Sequence, residues 1–173
     1  SLSKRDFLRV TKPLKKFGAN FKTNSGKLPI EIKGTNFPKP IKYFENKGSA
    51  QCKSSVMLAA LNTNGTTVIK AKKSRDHTEL LFKYLKLPIK IKKTNEYDLI
   101  KIKGKNKIKS INYKIPSDIS SSAFFIVLTA LTKNSKLMIQ NVNINPPRTG
   151  VASILKKMGV IILFKNQKLY KGQ

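Results

Sequence analysis

Ser49-Ala50-Gln51 is the stretch of this sequence best suited to chemistry, because it stands where a short predicted strand turns into an apolar helix. The first backbone N–H groups of a helix have no carbonyl partner within it, and the helix dipole puts partial positive charge there. Such a start favours an anion. Ser49 adds a hydroxyl, Gln51 an amide that both donates and accepts, and Lys53 a positive charge one turn on. The alternative reading is that Ser49 only N-caps the helix.

Ser74-Arg75-Asp76-His77-Thr78-Glu79 occupies the same place on the next predicted helix, where Asp76, Thr78 and Glu79 also suit ordinary capping. Only four of the 36 Lys and Arg residues are arginines, namely Arg5, Arg9, Arg75 and Arg148. A chain that uses Lys as its default surface cation keeps Arg for sites that need a planar two-pronged donor. Arg5, Arg75 and Arg148 fall at predicted helix starts, which suits phosphate or carboxylate recognition. Asp118, in Asp118-Ile119-Ser120-Ser121-Ser122, is a cap or an active-site carboxylate. His77 is the only histidine and Cys52 the only cysteine, so no metal-ligand spacing exists, and Cys52 reads as a small packing residue.

These motifs sit on a repeat. Ile41 to Leu61 recurs at Ile111 to Leu131, with Ile41/Ile111, Tyr43/Tyr113, Leu58/Leu128 and Leu61/Leu131 in register. A fixed period of that length marks a duplicated supersecondary unit, read here as strand, helix, strand, helix, strand, strand. Residues 1–38 read as the end of an earlier unit, 39–103 as a complete βαβαββ unit and 109–171 as a second. In the first complete unit the predicted helices run from Ala50 to Leu61 and from Arg75 to Leu85. In the second they run from Ser120 to Leu131 and from Thr149 to Met158, with strands at 111–115, 137–142, 160–164 and 168–170. The opening helix, expected over 1–18, ends in Leu-Lys-Lys-Phe-Gly and matches Leu155 to Gly159. A chain that begins within a unit and lacks an initiating methionine is expected to be a fragment.

The formal net charge of +28 would ordinarily point to nucleic acid, an anionic membrane or anionic small molecules. The lysines are spread through every segment with no compact basic block and no basic-aromatic interleaving, which argues against a nucleic-acid module. No apolar run is long enough to cross a bilayer, and no signal-like start precedes the first helix. A lone cysteine fits a reducing, cytoplasmic setting.

The sequences KGSAQCKSSVMLAAL, KKSRDHTELL, SDISSSAFFIV and NPPRTGV, in this order and at this spacing, resemble the 5-enolpyruvylshikimate-3-phosphate (EPSP) synthases. The Ser-Ala-Gln form of the turn resembles the second, glyphosate-tolerant class of bacterial enzymes. The resemblance implies an α/β fold, an inside-out α/β barrel built from repeated βαβαββ units, of which this chain would be part of the N-terminal domain. It implies transfer of the enolpyruvyl group of phosphoenolpyruvate to the 5-hydroxyl of shikimate 3-phosphate, with no metal or organic cofactor. Glyphosate is the competing inhibitor, and the full-length enzyme is expected to be a monomer. By the same resemblance Ser49, Ala50, Gln51, Ser74 and Arg75 bind shikimate 3-phosphate, and Arg5 and Gln51 bind phosphoenolpyruvate. Asp118 and Lys53 are supporting residues. Asp6-Phe7 stand where the family has Pro-Met, and Ser117 where it has Gly. The family's Lys-Ser pair and its catalytic Asp, Glu, Lys and Arg have no counterpart here, so no catalytic residue is assigned. A sister transferase acting on a UDP-sugar is the nearest enzyme alternative.

Overall fold

The computed structural model describes residues 2–172, which divide into two compact units, 2–109 and 110–172. The opening helix is shorter than expected. A 3-10 turn at Leu2–Lys4 and a bend at Arg5 precede α1, Leu8–Lys16, and Ser1 lies outside the described residues. The Asp6 carboxylate accepts from the Leu8 N–H at 2.7 Å and so caps the helix start. The hairpin β1 (Asn20–Asn24) and β2 (Lys27–Lys33) follows. Its turn residues Ser25 and Gly26 have φ of 48° and 80°, the left-handed pair whose twist suits a two-residue hairpin.

The main sheet has the order β3-β4-β6-β5, formed by β3 (Lys42–Glu45), β4 (Thr66–Lys72), β5 (Ile89–Lys93) and β6 (Tyr97–Lys103). β3 and β4 are parallel, which requires a crossover, and α2 (Ala50–Leu61) provides it. The β4–β6 and β6–β5 pairs are antiparallel, and α3 (His77–Tyr84) connects β4 to β5. Along α2 the buried positions are Cys52, Lys53, Val56, Met57, Ala60 and Leu61, a stripe with the spacing of one helical face. That face meets Ile69 and Ala71 of β4 and Ile100 and Ile102 of β6, whose alternation turns every second residue to the core. Each fully buried Val, Met or Ile among them contributes roughly 1.5–3 kcal/mol.

The second unit contains α4 (Ile119–Leu131), a 3-10 turn at Pro146–Arg148 and α5 (Gly150–Lys157). The strands expected at 111–115, 137–142, 160–164 and 168–170 do not form; one isolated parallel bridge, Ser117 with Val142, is present. The segment at 111–115 alternates as strands do, and 160–164 is a continuous apolar run. Among the described residues, however, no neighbouring strand takes up their backbone hydrogen bonds, and no apolar layer receives their side chains. Phe124 and Leu131 of α4 are 80% and 81% exposed.

Candidate functional site

Parallel pairing of β3 with β4 sets Glu45 beside Ala71, so both strands end on the same edge of the sheet. The turns that follow, 46–49 and 73–76, are therefore neighbours, at the carboxyl ends where α/β sheets bind ligands. Gly48 records their closeness: at φ +66° a Cβ there would lie 3.2 Å from the Lys73 carbonyl oxygen.

The first turn is pinned from below. The buried Glu45 carboxylate accepts from the Lys47 N–H and the Ser49 N–H, each at 3.0 Å. Ser49 has extended backbone, and its hydroxyl accepts from the Cys52 N–H at 3.3 Å, the N-cap arrangement. The cap does not exhaust the helix start. The Ala50 and Gln51 N–H groups have no partner among the described residues, so two oriented donors remain for an anion. Behind them, burial pushes the Tyr43 phenol up to about 12, with Cys52 and Glu45 adding to the shift.

Lys53 does not face solvent beside these donors. Its side chain is 1% exposed, its Nζ lies 2.5 Å from Glu79 Oε1, and it donates to the Arg75 carbonyl at 2.9 Å. Its charge is thus spent inside the molecule. A second link, Ser54 Oγ to Thr78 Oγ1 at 2.7 Å, also joins α2 to the start of α3. The Arg75 guanidinium is exposed and makes no ion pair among the described residues, while the Ser74 hydroxyl is turned inward without a hydrogen-bond partner.

Ser49, Ala50, Gln51, Lys53, Ser74 and Arg75 are therefore gathered on one sheet edge. Arg5 is exposed in the bend before α1 and makes no hydrogen bond or ion pair with them among the described residues. Arg9, the second residue of α1 and not singled out from sequence, donates to Gln51 Oε1 at 3.5 Å. That contact turns the Gln51 amide nitrogen the other way, as a donor. The scarcity of arginine was its only sequence signal.

Asp118 belongs to the second unit. Its carboxylate caps α4 by accepting from the Ser120 N–H at 3.0 Å and the Ser121 hydroxyl at 3.1 Å, and it is ion-paired with Arg148. The Ser120 backbone bond, then Arg148, hold its pKa down to about 2. Arg148 is thereby paired with a carboxylate of the chain itself. His77 and Cys52 join no cluster of three potential metal ligands among the described residues.

The sequence model described as EPSP synthase (3-phosphoshikimate 1-carboxyvinyltransferase) matches residues 1–171. A 3-phosphoshikimate 1-carboxyvinyltransferase of Caldicellulosiruptor saccharolyticus is 42% identical over the whole of this chain and 40% of its own length. One from Petrotoga mobilis is 44% identical over the whole chain and likewise 40% of its own length. A solved EPSP synthase from Acinetobacter baumannii superposes with a TM-score of 0.79 at 38% identity, covering 99% of this chain and 38% of that one. The chain spans about 40% of the length of the curated relatives it matches.

Proposed function

The chain belongs to the EPSP synthase family, and from that premise we propose that its first unit carries one wall of a substrate site. Within a complete enzyme that site would transfer the enolpyruvyl group of phosphoenolpyruvate to the 5-hydroxyl of shikimate 3-phosphate and release phosphate. The observation that carries the reading is the pair of open Ala50 and Gln51 N–H groups beside the exposed Arg75. Both substrates are anions, and oriented backbone donors with a guanidinium bind phosphate or carboxylate without a metal.

In this reading Ala50 and Gln51 contact shikimate 3-phosphate through their amides, and Ser49 and Ser74 through hydroxyls that rotate about one bond. Arg75 supplies the charge. Gln51, oriented by Arg9, donates toward phosphoenolpyruvate, and Arg5 holds the carboxylate or phosphate of that substrate, where glyphosate would compete. The complete enzyme would act as a cytoplasmic monomer. No helix among the described residues is long and apolar enough to cross a membrane.

Shikimate 3-phosphate is titrated into the chain while amide NMR signals are followed. The expected result is movement of the Ala50, Gln51, Ser74 and Arg75 signals. Removing one hydrogen bond to a charged group costs about 1.5–3 kcal/mol, so Arg75→Ala is expected to weaken binding by about tenfold to hundredfold. Signals that move elsewhere, or an Arg75→Ala variant that binds as tightly as the unaltered chain, would overturn the assignment. Turnover by this chain alone is not expected, because it lacks counterparts of the family's catalytic carboxylates.

A further inference from the structure

We propose that the buried Lys53–Glu79 pair is a positioning device: Lys53 grips the Arg75 carbonyl and so sets the Ser74–Arg75 turn against the start of α2. The inference rests on the anion-site reading above and adds to it a pair of residues that touches no substrate.

Both charged side chains are almost wholly inside, at 1% and 5% exposure, and their contact of 2.5 Å is the closest tie between α2 and α3. Such a pair is a poor source of stability. Desolvating two charges costs several kcal/mol per ion, repaid only when the remaining polar atoms are also satisfied. Here no hydrogen bond reaches Glu79 Oε2. What the pair does secure is geometric. Lys53 stands three residues beyond Ala50 on one helix, Glu79 four beyond Arg75 on another, and the Lys53 Nζ also holds the Arg75 carbonyl at 2.9 Å. A carbonyl held from behind leaves its residue's side chain outside, and the Arg75 guanidinium is exposed. Glu79 neutralises Lys53, so the site keeps its arginine while the lysine beneath it serves only as a clamp. The Ser54–Thr78 hydroxyl link at 2.7 Å fastens the same two elements one residue later on α2 and one residue earlier on α3.

A positioning role separates from a merely structural one in two measurements. The first needs no ligand. Lys53→Met/Glu79→Leu replaces both charges by apolar groups of similar volume, a change that buried pairs often tolerate without loss of fold. The double variant is expected to keep the melting temperature and the β4 and β6 amide signals of the unaltered chain. Its Ser74, Arg75 and Asp76 amides are expected to shift and to become more mobile. Lys53→Arg, which retains a cationic donor, is expected to restore part of their order. Unchanged signals and mobility at 74–76 in the double variant would overturn the proposal.

The second measurement compares two probes. Shikimate 3-phosphate is large enough to touch both turns, whereas inorganic phosphate can be held by one. The double variant is expected to lose about tenfold in affinity for the first, the size of one charged hydrogen bond misaligned. For phosphate it should stay within about twofold, as for uncoupled sites. Equal losses for both probes would make the pair a structural support and overturn the proposal. If the unaltered chain binds neither probe, the anion-site reading fails, and the ligand-free mobility at 74–76 still decides whether Lys53 is a clamp.

Discussion

The two units carry related sequences and reach different ends. In each, a polar turn starts an apolar helix, and a charged pair ties that helix to the element after the next crossover. In the first unit the cation is on the helix and the anion opposite, Lys53 with Glu79, both buried. In the second the anion caps the helix and the cation comes from the later turn, Asp118 with Arg148. The polarity decides what is left over. Lys53 absorbs Glu79 and leaves Arg75 exposed, whereas Asp118 takes Arg148 itself. Arginine at a helix start is thus no sufficient sign of an anion site; its neighbours must leave it open. The cores differ for a similar reason. The α2 stripe lands on a paired sheet, with Met57 at 0% exposure, while among the described residues no sheet lies beneath α4, and the repeat counterpart of Met57, Val127, is 37% exposed.

The largest expected effect tests the buried pair. Glu79→Ala leaves the Lys53 ammonium inside without its partner, and breaking a buried pair from one side costs about 3–5 kcal/mol. Urea unfolding followed through first-unit amide signals measures this. Arg148→Ala removes the corresponding cation from an exposed carboxylate and is expected to move the second unit's transition little. Comparable losses would erase the distinction between the pairs. Next in size, Met57→Ala is expected to cost about 2–5 kcal/mol through lost burial and the cavity it leaves. Its repeat-related counterpart, Val127→Ala, should cost less, since Val127 is 37% exposed. An equal loss at Val127 would mean that the α4 face is covered in solution.

What was legible in the sequence follows the range of the interactions concerned. The α2 boundaries were readable because its cap and stripe are local: Ser49 stands before Ala50, and the apolar spacing continues to Leu61. The hairpin strand β1 went unread although Asn24-Ser25-Gly26 is a turn signal, because Phe21 and Thr23 make a weak apolar alternation. The four strands of the second unit were read as members of the repeated unit, and a repeat states that related residues recur but not whether a strand finds its partner. In the site, the turn residues were legible as a class, and the role of Lys53 was not. Its partner Glu79 lies beyond a strand and a turn, and only the parallel β3–β4 register brings the two helix starts together. Arg9 was hidden likewise, since its contact with Gln51 depends on how α1 packs on α2.

The smallest expected effect bears most directly on the comparison. Asp118 is held down to about 2 by the Ser120 N–H first and Arg148 second. Its folded pKa lies below the ordinary carboxylate value, so its contribution to the α4 start is complete above that value. It is lost as pH falls through about 2. The Ser49 hydroxyl that caps α2 does not titrate, so acid should loosen the Ser120 amide while the Cys52 hydrogen bond to Ser49 persists. Asp118→Asn separates capping from charge. Asparagine is as good an N-cap as aspartate, so α4 should keep its start and lose the acid dependence, while Arg148 is released. If an internally claimed arginine is what distinguishes the second unit, this variant should acquire weak phosphate binding, seen as movement of the Arg148 and Gly150 amides. The unaltered chain should show none there. If releasing Arg148 brings no phosphate response, an open arginine beside a helix start is not enough, since the Ile119 and Ser121 N–H groups of α4 likewise have no partner among the described residues.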